Sequence, residues 1–104
     1  MTENLRILMD NSSCIDDNIL IKNNLAYVIK IMKEVYHFDV LKNITASRNE
    51  NSVELIYNLY NTEDEEGLKL LYNAIGKAES IEQLYPAAKE FEEKIGEKFS
   101  ILFA

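Results

Sequence analysis

One cysteine, Cys14, and one proline, Pro86, are all that 104 residues hold of either. A lone thiol closes no internal disulfide, which favours a reducing, cytoplasmic setting. An iron–sulfur cluster takes about four thiolates, so this chain holds none by itself. The one histidine, His37, has no second histidine and no acid–histidine motif beside it. It reads as a helix-end residue at the negative end of the dipole rather than a base or ligand. No apolar run approaches the ~18 residues of a membrane span, and the polar, acidic start is no signal peptide, so any membrane link goes through another protein. Basic residues are scarce, 11 against 18 acidic, for a net charge of −7. Without a basic stripe the chain argues against nucleic acid and anionic lipid as partners. There is no Ser-His-Asp set, phosphate loop or metal-ligand spacing, so no catalytic, cofactor-binding or metal residue is expected.

What is present is an ordinary globular composition, 47% hydrophobic, in one domain spanning 1–104 without repeat or linker. Leu5, Ile7 and Met9 alternate with Arg6 and Leu8, predicting a short strand over Asn4–Met9. Asp10 to Ser13 is turn chemistry, and Asp16-Asp17-Asn18 is a cluster of N-caps. A helix from about Asn18 to Tyr36 should follow, with Ile21, Leu25, Val28, Ile29, Met32, Val35 and Tyr36 as its apolar stripe and Lys33 on the wet side. Three strands come next: Asp39–Ser47 with Val40, Ile44 and Ala46 inward, Val53–Tyr60, and Leu68–Ile75. Short polar loops join them, which favours antiparallel neighbours. Ser80 and Gln83 form a capping-box pattern, Pro86 breaks the turn at Tyr85, and a helix runs from about Pro86 to Lys98. Its stripe is Leu84, Ala88, Phe91, Ile95 and Phe99. The order β-α-β-β-β-α implies an α+β two-layer sandwich, a mostly antiparallel sheet of about four strands with helices packed on it.

Several side chains invite a chemical reading. Glu63-Asp64-Glu65-Glu66 lacks the alternation and central glycine of a calcium loop, so it reads as a solvated hairpin tip. Cys14 stands near acids, which disfavour the thiolate, and reads as a semi-buried, inert thiol. Glu92 lies at the edge of the closing helix's stripe. It is either a half-exposed acid beside Lys89 or a buried one, and a buried carboxylate must be paired. The strand faces carrying Ile56 and Tyr60, or Leu71 and Ile75, either lie under the closing helix or form a protein interface. The apolar ending Ile101-Leu102-Phe103-Ala104 is expected to be tucked in or pressed on a partner.

The segment Ser80–Phe103 resembles the end of the thirty-kilodalton subunit family of respiratory complex I. The likeness is nearest to the short relatives in energy-converting, membrane-bound NiFe hydrogenases. That family carries Ser-Ile-x-x-Ile/Leu-Phe/Tyr-Pro-Ala-Ala, an aromatic-rich helix with Glu-Arg-Glu, then Asp-Leu-Phe-Gly-Ile and an aromatic. Ser80, Ile81, Leu84, Tyr85, Pro86, Ala87, Ala88, Glu92, Ile95, Phe99, Ile101 and Phe103 match in register. Glu93 stands where the pattern has Arg, Lys94 where it has the second Glu, Gly96 where it often has an aromatic, and Ser100 where it has Gly. The basic tail of longer members is absent from this sequence. A looser match extends upstream to Phe38.

The resemblance implies a non-catalytic subunit of an oxidoreductase complex that carries no redox cofactor. Such a subunit packs against a large NiFe-hydrogenase-like or quinone-site subunit near iron–sulfur subunits, and meets the membrane only through them. Tyr85, Pro86, Glu92, Phe99, Ile101 and Phe103 are the implied partner interface. The alternative from another class is a stand-alone protein-binding module, homodimeric through a strand edge.

Overall fold

The computed structural model describes residues 2–15 and 18–104. Helix α1 (Thr2–Asn11) leads into β1 (Ser12–Ile15) and β2 (Asn18–Ile21), followed by α2 (Leu25–Glu34). Strands β3 (Val40–Arg48), β4 (Val53–Asn61) and β5 (Glu66–Ala74) form a meander. The chain closes with β6 (Lys77–Ala78), α3 (Ala88–Phe99) and β7 (Leu102–Phe103). The main sheet has five strands in the order β1-β2-β5-β4-β3. Its pairings are antiparallel except β2 with β5. A second, two-stranded sheet joins β6 to β7 in parallel. This is the α+β, two-layer arrangement expected from the sequence, with more pieces at its start.

The meander follows from strict alternation. Along β4 every second residue, Val53, Leu55, Tyr57 and Leu59, is buried, while Glu54, Ile56, Asn58 and Tyr60 between them are half-exposed. Leu70 and Ala74 continue that inner face on β5. On β3 the inward set is Leu41 and Ile44, with Ala46 half-buried; Val40 sits opposite Tyr60 on the outer face. The expectation that Val40 points inward fails because the register shifts between Leu41 and Asn43, and one extra residue reverses the parity of the strand. Buried Leu25, Val28, Ile29, Ile31 and Met32 of α2 and Ala88 and Ile95 of α3 join the same core.

Two expectations at the start of the chain are overturned. Residues 4–9 are helical, not a strand: Leu8 is buried and Met9 is exposed, against the predicted pairing of faces. Six residues are too few to separate a period of 2 from one of 3.6. The long helix from Asn18 is split. Asn18–Ile21 forms β2, and α2 starts only at Leu25, after Asn24 in a left-handed conformation. Ile21 is buried as predicted, but on a strand that pairs with β5. The apolar run Ile19-Leu20-Ile21 fits a sheet interior as well as a helix stripe. Asp16 and Asp17, read as N-caps, lie outside the described residues.

Candidate functional site

The last quarter of the chain is built around one buried acid. Glu92 is 5% exposed and comes from the inner side of α3. Its Oε1 accepts the Ser80 hydroxyl at 2.7 Å and its Oε2 accepts the Ile81 N–H at 2.8 Å. Hydrogen bonds to a charged acceptor contribute about 1.5–3 kcal/mol each, offsetting the desolvation of the carboxylate. The partner of Ser80 is thus Glu92, not Gln83, which is exposed. Ser80 Oγ also accepts the Glu82 N–H at 3.2 Å, so one serine starts the turn and fastens it to α3. Of the two readings of Glu92, the half-exposed acid is excluded.

The turn that follows carries Ile81, fully buried, and Tyr85, 4% exposed. Tyr85 donates its hydroxyl to the Phe38 carbonyl at 2.6 Å, and burial raises its pKa, helped by Asp39. Lys33 from α2 donates to the Leu84 carbonyl at 2.6 Å and lies 5.4 Å from the centre of the Tyr85 ring. Glu79 reaches the other end of α2, accepting the Ala26 N–H at 3.3 Å where no local side chain caps the helix. The sequence reading missed both contacts. They join residues more than fifty positions apart, for which no local spacing exists, and a lysine at a helix surface reads as solvated.

After α3, Ser100 takes a left-handed conformation and turns the chain back. The Leu102 N–H donates to the Gly76 carbonyl, the Ala104 N–H to the Ala78 carbonyl and the Ser80 N–H to the Ala104 carbonyl, all within 3.1 Å. Of the apolar ending expected to be tucked in or pressed on a partner, Ile101 is buried and Phe103 half-buried, while Leu102 and Ala104 are exposed. Gly96 lets the chain at Ile101 lie close: a Cβ there would stand 2.9 Å from the Ile101 carbonyl oxygen. Ser80, Lys89, Glu92, Gly96, Ile101 and Phe103 line a cleft of about 380 Å³ between α3 and β7.

The six implied interface residues therefore divide. Tyr85, Glu92 and Ile101 are buried inside the chain, Phe99 and Phe103 are half-buried, and Pro86 is exposed. Arg48 lies over the Phe99 ring, 5.5 Å from its centre. Cys14, expected semi-buried, is exposed on β1, the edge strand of the sheet, which pairs on one side only. His37 leaves the end of α2 at φ 64°, exposed, as its helix-end reading expects. The acidic tip is a solvated turn. Asn61 Oδ1 accepts the N–H groups of Glu63 and Asp64, and no metal-holding group of acids, histidines or cysteines occurs among the described residues.

The closing helix packs on the inner face, where Phe99 meets Arg48 and Glu92 helps hold the buried Tyr57 hydroxyl neutral. The other face, with Leu20, Ile56, Tyr60 and Leu71, stays half-exposed. Among the described residues, Ile75, Met9 and Leu102 are the most exposed large hydrophobic side chains, at 76%, 69% and 66%. No helix among the described residues is long and apolar enough to cross a membrane.

A sequence profile of the family described as respiratory-chain NADH dehydrogenase, 30 Kd subunit, matches residues 19–104. No curated protein matches the chain. Among solved structures, a chain of the membrane-bound sulfane sulfur reductase, an archaeal respiratory membrane complex, is similar with a TM-score of 0.77 at 18% identity. The alignment covers 98% of this chain and 69% of that one.

Proposed function

The chain belongs to the family of the 30 Kd subunit of respiratory-chain NADH dehydrogenase, and from that premise we propose that it is a non-catalytic subunit of a membrane-associated electron-transfer complex. It packs against the large catalytic subunit, of NiFe-hydrogenase-like or quinone-site type, with iron–sulfur subunits as further neighbours. It sits on the cytoplasmic side and reaches the membrane through those partners. The observation that carries this reading is the family match over 19–104. The likeness to a chain of an archaeal respiratory membrane complex supports it.

The C-terminal quarter is the docking surface in this reading. Pro86, Phe99 and Phe103 offer the contact area. Tyr85, Glu92 and Ile101 act from beneath, holding that surface in one shape through the bonds to Phe38, Ser80 and Ile81. A pre-ordered surface binds with less loss of conformational entropy.

The test is capture of the tagged chain from detergent-solubilised membranes of its own cells, with co-purifying chains identified by mass spectrometry. Recovery of a hydrogenase-like or quinone-site large subunit with iron–sulfur partners is the expected result. Recovery of the chain alone, or only as its own dimer, sinks the proposal and leaves a stand-alone module.

A further inference from the structure

The cleft between α3 and β7 has two unlike surfaces. Its floor is Gly96, Ile101 and the half-buried ring of Phe103. Its walls carry four carboxylates, Glu82, Glu92, Glu93 and Glu97, against one cation, Lys89. Glu92 is already satisfied by Ser80 and Ile81, so it adds charge without needing a further donor. The other three acids are exposed. The chain as a whole is acidic, at −7, so the local excess of negative charge is not offset at long range.

Resting on the subunit reading, we propose that this cleft receives an arginine or lysine side chain from a segment of the partner subunit. A long basic side chain matches both surfaces. Its aliphatic stem covers the Ile101–Phe103 floor while its head stays among the rim acids. Apolar side chains would leave the acids desolvated and unpaired, and acidic ones would be repelled. Gly96, where a Cβ would meet the Ile101 carbonyl oxygen at 2.9 Å, lets the chain at Ile101 lie close against α3 beside the cleft. Charge complementarity of this kind acts on partner choice and encounter rate as much as on affinity.

The test uses the full tagged chain and the membrane capture described above, with charge reversal at the rim. Glu93 and Glu97 are exposed and make no side-chain hydrogen bond among the described residues, so the double variant Glu93→Lys/Glu97→Lys should melt as the wild type does. Its recovery of partner should fall at least about tenfold, with Glu93→Gln/Glu97→Gln in between, and added salt should weaken wild-type capture. A photo-crosslinking side chain placed at Glu97 should attach to a partner peptide carrying arginine or lysine at the contact. Wild-type recovery by the reversed variant, or crosslinks to peptides without a basic residue, overturns the proposal and leaves the subunit reading standing. If the wild-type chain itself captures no partner, both fall together.

Discussion

A carboxylate inside a protein is destabilising unless donors meet it, and Glu92 shows how few are enough. Its two bonds tie α3 to the start of the turn at Ser80. Glu92→Gln keeps the volume but removes the charge from both bonds and puts an NH2 where the Ser80 hydroxyl hydrogen found its acceptor. We expect a loss of about 1.5–3 kcal/mol by urea unfolding, with Glu92→Ala at least as harmful. An unchanged midpoint would mean that water serves Ser80 and Ile81 equally well. Gly96 sets two effects against each other. Alanine gains about 1 kcal/mol of helix propensity over glycine. Its Cβ would sit 2.9 Å from a backbone oxygen, which cannot move without dragging β7 off β6. The clash should win, so Gly96→Ala should lower the melting temperature; a rise would show that β7 yields freely.

Elements were legible where a period had room to repeat. The nine-residue β4 shows four full alternations, and the helix after Pro86 presents its stripe over twelve residues. Both were readable from the residues alone. The start of the chain was not, because β1 and β2 have only four residues each and the β2–β5 pairing joins Leu20 to Leu71, far apart along the chain. The site was half legible. The Ser80–Phe103 pattern pointed to the family whose profile matches 19–104, while the bonds that fasten this segment, to Lys33, Ala26 and Phe38, reach distant parts of the chain. The structure also separates two stripe residues that periodicity treats alike. Ile95 is buried at 7%, whereas Phe99 is half-buried beneath Arg48. Ile95→Asp should abolish cooperative folding, since an aspartate there is neither solvated nor paired. Phe99→Asp should cost clearly less, because water and the Arg48 guanidinium both reach it. Equal damage from the two, measured by thermal melting, would put Phe99 deeper in the core than described.

For the whole molecule pH dependence comes from hydrogen bonding on the acid side and from burial on the alkaline side. Thr62 donates its N–H and hydroxyl to the exposed Asp39, holding that carboxyl below its usual 3.8. The stabilisation from this group is present above that value and is lost as the pH falls through the lowered one. On the alkaline side Tyr57 and Tyr85 both act, and Tyr57 is the more deeply buried. Its ring is fully buried, its hydroxyl has no partner among the described residues, and desolvation, reinforced by the charge of Glu92, raises its pKa well above 10.0. The unfolded chain ionises this tyrosine near its ordinary value while the folded chain cannot. Stability is therefore intact below pH 10 and declines as the pH climbs beyond it, approaching about 1.4 kcal/mol per pH unit from this residue. Tyr57→Phe removes that proton and an unpaired buried hydroxyl together. At neutral pH the variant should be as stable as the wild type or more so, the lost oxygen contact being small against the desolvation it relieves. Above about pH 10 its stability should fall less steeply than the wild type's, by the equivalent of one proton per molecule. Urea unfolding of both proteins between about pH 9 and 11 reads this difference as a change in slope. Parallel curves would show that the Tyr57 hydroxyl reaches water in the folded chain, and the inner face of β4 would then be less tightly closed under α3 than its buried side chains imply.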